Sequence, residues 1–546
     1  MGNVMRSGVP TLVIAGLVAA LWPHVAPAAN DAAAAPASST DTQQNVFDIG
    51  EFRVLGNHVL PATVIERVVY PFLGPARTID TVKQAADALE KAYKDAGYAT
   101  VYVDIPEQDV NGGLVRLKVT EGRLEHVHVR GERYFSGRQI VAALPALKPG
   151  QTPELPALQT ELAALNARTP DRSITPVLKA GSQPGTVDVD LTVKDSLPLH
   201  GSVQYDDQHT ADTTPNRSTV ALSYDNLWQR QDSAGMQYQT APAKPSDAEV
   251  LIANYSAHLG AQGALAAFSY THTSSNVAAL GTLGVLGKGS IYGAHWIEPV
   301  FAGASSSQNV NFGADYKDVL TTVLPNTTGS ASSSGVTAHV KYVNWSALYS
   351  GAWWRETQSY SVTAGVAFGV RSVINSVNEF ENARYNANPD YLYVRLGFNG
   401  SQALPFLGLK VSERASGQWA DSPLVNNEQF SLGGTDSVRG YLAAETLGDS
   451  GLSGSLELHS PALGARVGSF FSPLYAFLFV DGGVANIVDP LPAQRENVTL
   501  WSDGVGLRLE NSHGWIGTVD YAVPRRNGVR TLKDQSRIDF LLRYGF

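Results

Sequence analysis

The sequence predicts a membrane β-barrel of about 16 antiparallel strands preceded by two small α+β domains. Three observations carry this prediction. An export signal opens the chain, and no later run is apolar over the roughly 18 residues that a spanning helix needs. The C-terminal part, roughly 350 residues, alternates apolar and polar side chains with a period of two. Lipid satisfies no open backbone N–H or C=O, so an exported chain that crosses a membrane with strands must close them into a barrel, which places it in an outer membrane.

The elements follow in order. Arg6 supplies a positive start, Val9 to Leu21 an apolar stretch and Ala26-Pro27-Ala28 small residues for cleavage, so residues 1–28 read as a signal peptide. Residues 29–46 read as a linker or short N-terminal segment: Ala32 to Gln44 is rich in Ala, Ser, Thr, Asp and Gln and cannot bury enough surface to fold alone. From Phe47 the pattern becomes strand, helix, helix, strand, strand. Phe47 to Leu55 is a β-rich run ending at the turn pair Gly56-Asn57. Pro61 suits the first residue of a helix carrying Val64, Ile65, Val68 and Val69. Val82, Ala85, Ala86, Leu89, Ala92, Tyr93 and Ala96 share one helical face, which Gly97 stops. Thr100 to Ile105 and Leu114 to Glu121 are extended.

The same order then repeats: a strand from Leu124 to Arg130, helices over Ser136 to Leu144 and Glu154 to Leu165, and strands over Ile174 to Lys179 and Val187 to Val193. The two α+β domains are thus assigned to residues 47–123 and 124–196, and the barrel to 197–546. In the barrel region Tyr360, Val362, Ala364, Val366, Phe368 and Val370 fall on one face, with Ser361, Thr363 and Gly365 on the other. Val220, Leu222 and Tyr224 alternate in the same way, as does Trp501 to Leu509, and Tyr391, Tyr393 and Arg395 oppose Leu392, Val394 and Leu396. Dividing the region among such runs leaves about 22 residues per strand and connection. The final strand is the plainest: Ile538, Phe540, Leu542, Tyr544 and Phe546 form an unbroken apolar series, with Arg537, Asp539 and Arg543 between.

Several chemistries are excluded or weak. There is no cysteine, so there is no disulfide, thiolate metal site or cysteine nucleophile. A net charge of -10 argues against nucleic acid as a partner. Gly448-Asp449-Ser450-Gly451 looks like a serine-protease nucleophile motif, but Leu452 follows it and no histidine segment precedes it. Gly281, Gly284, Gly287, Lys288 and Gly289 suggest a phosphate loop, yet Gly289 stands where Ser or Thr is required. His295 and Glu298 lack a second histidine at metal-ligand spacing, and Trp353-Trp354 suits an interfacial girdle. No enzyme activity, cofactor or metal is expected.

Short strings along the chain resemble a known family. Val54-Leu55-Gly56-Asn57, Ala96-Gly97-Tyr98, Ile105-Pro106-Glu107-Gln108 and Thr120-Glu121-Gly122 resemble the first POTRA domain of two-partner secretion transporters, the TpsB family. Asn166, Pro170, Arg172, Pro176 and Pro184-Gly185 resemble the second. Val438-Arg439-Gly440-Tyr441 is similar to the loop motif shared by TpsB proteins and the superfamily that includes the barrel assembly protein BamA. Phe479-Val480-Asp481-Gly482-Gly483 is similar to that superfamily's strand motif. The resemblance implies that the loop folds into the lumen and that Arg439 meets Asp481 on the wall, a pairing that a guanidinium fork and a carboxylate suit well. A terminal Phe546 resembles the signal read by the outer-membrane barrel assembly machinery.

The implied function is export of an unfolded TpsA-like partner, such as an adhesin or haemolysin, captured by periplasmic POTRA domains and passed outward without ATP. The alternatives are a BamA-like factor that assembles other barrels and, behind it, a passive porin. TpsB proteins commonly begin with a plug helix and linker, for which the roughly 18 residues between Ala28 and Phe47 leave little room.

Overall fold

The computed structural model describes residues 46–546 apart from 111, 212, 261–262, 275–277, 280–284, 287, 304, 324–335, 406, 465–467, 469–471 and 493. The signal peptide and linker expected before residue 46 therefore lie outside the described residues, as do Gly281, Gly284 and Gly287.

One compact unit comprises the described residues to Asp95 together with Val101–Thr120. Its three-stranded sheet runs in the order Glu51–Leu55, Leu114–Glu121, Val101–Asp104. The helix Ile79–Asp95 buries Val82, Ala85, Ala86, Leu89 and Tyr93, the face read from the spacing. The helix with Val64, Ile65, Val68 and Val69 runs Ala62–Val69, so Pro61 precedes its first residue. Gly56 has φ +88°, and a Cβ there would stand 2.3 Å from the Val119 carbonyl oxygen. Asn57 stops the following chain: its Oδ1 accepts from Leu60 N–H at 3.1 Å and from the Tyr93 hydroxyl at 2.6 Å. The run Phe47 to Leu55 divides at Gly50: Glu51–Leu55 enters the main sheet, whereas Phe47–Ile49 pairs with Gly74–Arg77. Gly-Pro-Ala-Arg has none of the β-branched or aromatic residues that mark a strand in sequence, so that partner was not foreseen.

The second unit holds Ala96–Thr100 and Glu121–Phe546. Its first part is a three-stranded sheet in the order Arg123–Arg130, Thr186–Asp195, Arg172–Ala180, the outer two strands being parallel and antiparallel respectively to the central one. Helices Gly137–Ala142 and Leu155–Ala167 cover one face, burying Ile140, Leu158, Leu162 and Leu165 against Leu124, Val189 and Leu191. This repeats the strand order of the first unit, with the first and last strands parallel in both.

Polar contacts join this α+β module to the barrel. The Asn226 and Gln229 side-chain amides both donate to the Tyr134 carbonyl, at 3.1 and 2.9 Å. His200 Nε2 lies 3.0 Å from Asp171 Oδ2 and 3.5 Å from Asp225 Oδ2.

Sixteen antiparallel strands, from Leu199–Asp206 to Arg537–Gly545, close into a barrel. The seam pairs Leu541–Gly545 with Asp206–Ser202. Phe546 completes it, its N–H donating to the Gly201 carbonyl at 3.0 Å and its carbonyl accepting from Gly201 N–H at 3.1 Å. Alternation sorts lipid side from lumen side: Leu478 and Val480 are 57% and 52% exposed, while Phe477, Phe479 and Asp481 between and beside them are at most 3% exposed. Tyr391 and Tyr393 are likewise buried inside while Leu392 and Leu396 face out. Ser306–Val323 and Val336–Arg355 have 18 and 20 residues, well beyond the roughly 9–11 that cross a bilayer, so this hairpin of the barrel extends past the membrane.

Candidate functional site

Strands Lys410–Ala420 and Ser450–His459 are neighbours in the wall, yet 29 residues, 421 to 449, connect them. Such a length is not needed to turn a hairpin, and the segment folds back into the lumen. Within it Phe430–Leu432 pairs with Thr446–Gly448 as a small hairpin packed on strand Leu474–Asn486. Leu432, Val438 and Tyr441 are buried against Ala485, Val498 and Leu500 of the wall. Glycine permits the approach at two points. Gly440 has φ +83°, with the wall residues Ala522 and Pro524 at 3.1 and 3.3 Å from where a Cβ would lie. Opposite, a Cβ on Gly483 would sit 2.5 Å from Leu432 of the loop.

At the tip of this hairpin Arg439 is 2% exposed and Asp481 fully buried. The guanidinium grips the carboxylate with both arms, Nε to Oδ2 at 2.7 Å and Nη2 to Oδ1 at 2.8 Å, and the Arg439 backbone N–H adds a third bond to Oδ2 at 3.1 Å. The remaining donors go to strand Ser450–His459: Nη1 to Glu457 Oε1 at 2.7 Å and Nη2 to Ser455 Oγ at 3.0 Å. Asp520 of strand Trp515–Pro524 is the third carboxylate, 3.8 Å away. The guanidinium carbon lies 3.6 Å from the centre of the Phe479 ring, a cation–π contact that covers its open face. The structure thus brings together Val438, Arg439, Gly440 and Tyr441 of the loop motif with Phe479, Asp481 and Gly483 of the wall motif, while Val480 turns to the lipid side and Gly482 makes no close contact with the loop. A Cβ at that position would have its nearest neighbour at 3.6 Å, so space does not require glycine there. Tyr441 reaches further, donating to the carbonyls of Trp501 at 3.1 Å and Arg526 at 2.8 Å.

Three more carboxylates, none singled out from sequence for this role, tie the same segment elsewhere. Glu428 is 1% exposed and accepts from the hydroxyls of Tyr342 at 2.6 Å and Tyr393 at 2.7 Å, with Lys317 as its ion partner. Glu445 accepts from Thr531 N–H at 2.7 Å and its hydroxyl at 2.9 Å. Asp449, fully buried, receives both arms of Arg384, the backbone N–H of Leu424 at 2.8 Å and that of Val488 at 2.7 Å. It therefore ties Arg384 and Val488, from two other inter-strand connections, to segment 421–449 in one knot. This is the aspartate of the Gly448–Gly451 string, whose carboxylate is wholly engaged in structure. Beside it, helix Val377–Ala383 fills the lumen by apolar contact, Phe380 packing with Tyr342 and Tyr391.

Other residues singled out in the sequence are placed apart from this centre. His295 bonds Asp315 at 3.1 Å, and Glu298 accepts from the Trp296 indole at 3.0 Å. Trp353 and Trp354 are exposed near the end of strand Val336–Arg355 and, being consecutive in it, turn to opposite faces.

Comparison with known proteins gives the following. The model of the haemolysin secretion/activation protein family ShlB/FhaC/HecB matches residues 185–509, and that of the ShlB-type POTRA domain residues 47–122. The outer membrane transporter CdiB of Dickeya dadantii (strain 3937) is 30% identical over 193 residues, 35% of this chain and 33% of that protein. The protein of the same name from Escherichia coli O6:K15:H31 (strain 536 / UPEC) is 26% identical over 191 residues, 35% and 32% of the two chains. Each alignment thus spans about a third of the relative's length. Among solved structures, CdiB from Escherichia coli is similar with a TM-score of 0.60 and 18% identity, over 94% of this chain and 93% of that one. BamA from Haemophilus ducreyi lacking POTRA domains 1–3 is similar with a TM-score of 0.54 and 13% identity, over 92% and 100%. At these identities the two structures speak for the fold.

Proposed function

The chain belongs to the haemolysin secretion/activation protein family ShlB/FhaC/HecB, and from that premise we propose that it is an outer-membrane translocator exporting an unfolded partner protein by two-partner secretion. The observation that carries the reading is the lumen itself: a barrel in which segment 421–449 is held by the buried Arg439–Asp481 pair suits conditional passage of a large client, not steady diffusion of small solutes. Arg439 and Asp481 act as the latch, with Val438, Gly440 and Tyr441 on the loop and Phe479 and Gly483 on the wall shaping its seat.

Capture takes place on the periplasmic α+β domains. Strand Arg123–Arg130 is the edge of its sheet and borders an open groove of about 610 Å³ lined by Val127, Val129, Gly137, Arg138 and Val141. An extended client adding itself there gains main-chain hydrogen bonds, and the groove, where Glu132 and Arg138 stand beside the valines, takes every second side chain. The client is a TpsA-like protein, and Phe546 serves recognition by the barrel assembly machinery.

The barrel likeness to BamA favours one other reading, assembly of outer-membrane proteins. Co-expression with a large exported protein encoded beside this gene distinguishes the two. Export predicts that this protein reaches the cell surface only when the barrel is present, with other barrels at normal levels. Loss of other barrels on depletion, with no effect on surface delivery, refutes export in favour of assembly.

A further inference from the structure

The solvent face of the second α+β module carries a cluster that export leaves unused. Strand Arg123–Arg130 shows two faces: Leu124, Val127 and Val129 turn to the core and groove, while His126, His128 and Arg130 turn to water. Beside it on the central strand Thr186–Asp195, Val189 and Leu191 are buried, and Asp188 and Asp190 share the outward face with the histidines. His126 and His128, two residues apart on one strand, therefore present their imidazoles side by side, ring centres 5.8 Å apart and planes within 22° of parallel.

We propose that His126, His128 and Asp188 form a binding site for a divalent transition-metal cation of the zinc, copper or nickel class. One ring nitrogen from each histidine and one Asp188 carboxylate oxygen all lie within 4.8 Å of one another, with His126 Nδ1 already 3.5 Å from Asp188 Oδ1. Metal–ligand bonds of about 2.0–2.2 Å put tetrahedral ligand atoms roughly 3.3–3.5 Å apart. Contraction to that spacing needs only side-chain rotation of two exposed imidazoles. Two imidazoles and one carboxylate favour zinc, copper or nickel over magnesium or calcium, which take oxygen ligands. Three protein ligands leave a coordination position open to water.

The surrounding charges fit this assignment. Lys179 and Arg130 both pair with Asp190, at 2.5 and 3.7 Å. The next carboxylate, Glu125, is held by the hydroxyls of Ser182 and Thr186 at 2.5 and 2.6 Å. Asp188 is left facing imidazole, and its one further bond, from His126 N–H at 3.0 Å, fixes the carboxylate where the site needs it. The other grouping of this kind among the described residues, Asp171, His200 and Asp225, has one imidazole for two carboxylates. It is accounted for as the joint between module and barrel.

The assignment stands independently of the export reading. The full chain is purified in detergent with a tag that contains no histidine, and zinc(II), copper(II) or magnesium(II) is titrated by calorimetry, with copper(II) also followed by electron paramagnetic resonance. One equivalent of zinc(II) binds, magnesium(II) does not compete, and the copper(II) spectrum carries the coupling of two imidazole nitrogens. The H126A/H128A variant weakens zinc(II) binding by more than the roughly 10–100-fold that loss of an outer-shell partner alone costs, and D188N weakens it too. H200A leaves binding unchanged. Both histidines are exposed and lie outside the module's core, and limited proteolysis of the second α+β module, beside the heat-modifiable mobility of the barrel, reports that the variants fold. Absence of zinc(II) and copper(II) binding, retention in folded H126A/H128A, or loss in H200A alone overturns the proposal.

Discussion

Replacing Arg439 by alanine tests the latch most directly. The side chain makes four hydrogen bonds to Asp481, Glu457 and Ser455 from a position 2% exposed, and its loss leaves Asp481 buried among two further carboxylates with no cation at its centre. Breaking one partner out of a buried ion pair costs about 3–5 kcal/mol. At about 1.4 kcal/mol per factor of ten, this shifts the seated loop toward its released state by two to nearly four powers of ten. The cost falls on the loop: no barrel-wall side chain changes, and the ties at Glu428, Glu445 and Asp449 stay. Barrel abundance is therefore expected to hold while delivery of the partner per barrel drops about tenfold or more. Arg439→Lys keeps the charge but loses the two-armed grip, so it lies between wild type and alanine. Surface partner is quantified by immunoblot of intact cells against the folded barrel band in unheated gels. Undiminished delivery by Arg439→Ala at normal abundance refutes the latch.

Three further predictions follow from the same geometry. Asp449→Asn removes the charge that receives Arg384, Leu424 and Val488, so segments 370–391 and 421–449 become sensitive to protease added outside the cell; unchanged cleavage counts against the knot. Gly483→Ala drives a methyl to within 2.5 Å of Leu432 in the loop and 2.8 Å of the Leu452 carbonyl in the adjacent wall strand, costing about 1–3 kcal/mol shared between loop seating and wall, whereas Gly482→Ala, with 3.6 Å of room, is silent; equal effects in the same protease assay defeat the packing argument. In the second α+β module, the hydroxyls of Ser182 and then Thr186 lower the Glu125 carboxyl from 4.5 to about 2. A depressed folded-state pKa stabilises above the unfolded value, so that contribution is full above pH 4.5 and is lost as pH falls toward 2. The protection of Ser182 N–H, taken as its exchange rate relative to the intrinsic rate at each pH, should fall across that window, and Glu125→Gln should abolish the dependence.

The architecture was readable because its signals are local. Period-two alternation exposes each barrel strand, and helical spacing exposes the long helix of the first domain with its buried face. What escaped lies where neither period operates. Helix Val377–Ala383 and the hairpin Phe430–Leu432 with Thr446–Gly448 sit inside connections and are shaped by the wall they pack on. The same divide runs through the site. Arg439 and Asp481 stood out through motif resemblance alone. Glu457 and Ser455 could have been found by following the alternation of strand Ser450–His459, where Ser453, Ser455, Glu457 and His459 face in while Leu452, Leu456 and Leu458 face out. Asp449 could not: its partner Arg384 is 65 residues away, and the string around it advertised a different chemistry.

The two kinds of lumen filling differ in how they can yield. Helix Val377–Ala383 rests on Phe380 and Ala383 buried against Val340, Tyr342 and Tyr391, and pulling it away would expose apolar surface to a wet channel at about 25 cal/mol for each Å². Segment 421–449 has a small apolar seat at Leu432, Val438 and Tyr441, and beyond it is held by Glu428, Arg439, Glu445 and Asp449, groups that water solvates well once they part. Because the desolvation of buried ions offsets much of their attraction, such a pair adds little net stability while dictating one geometry. A channel that must stay shut at rest yet open for a passing chain needs that combination. The polar tethers therefore mark segment 421–449 as the part that gives way, and the apolar seat marks the helix as the part that stays.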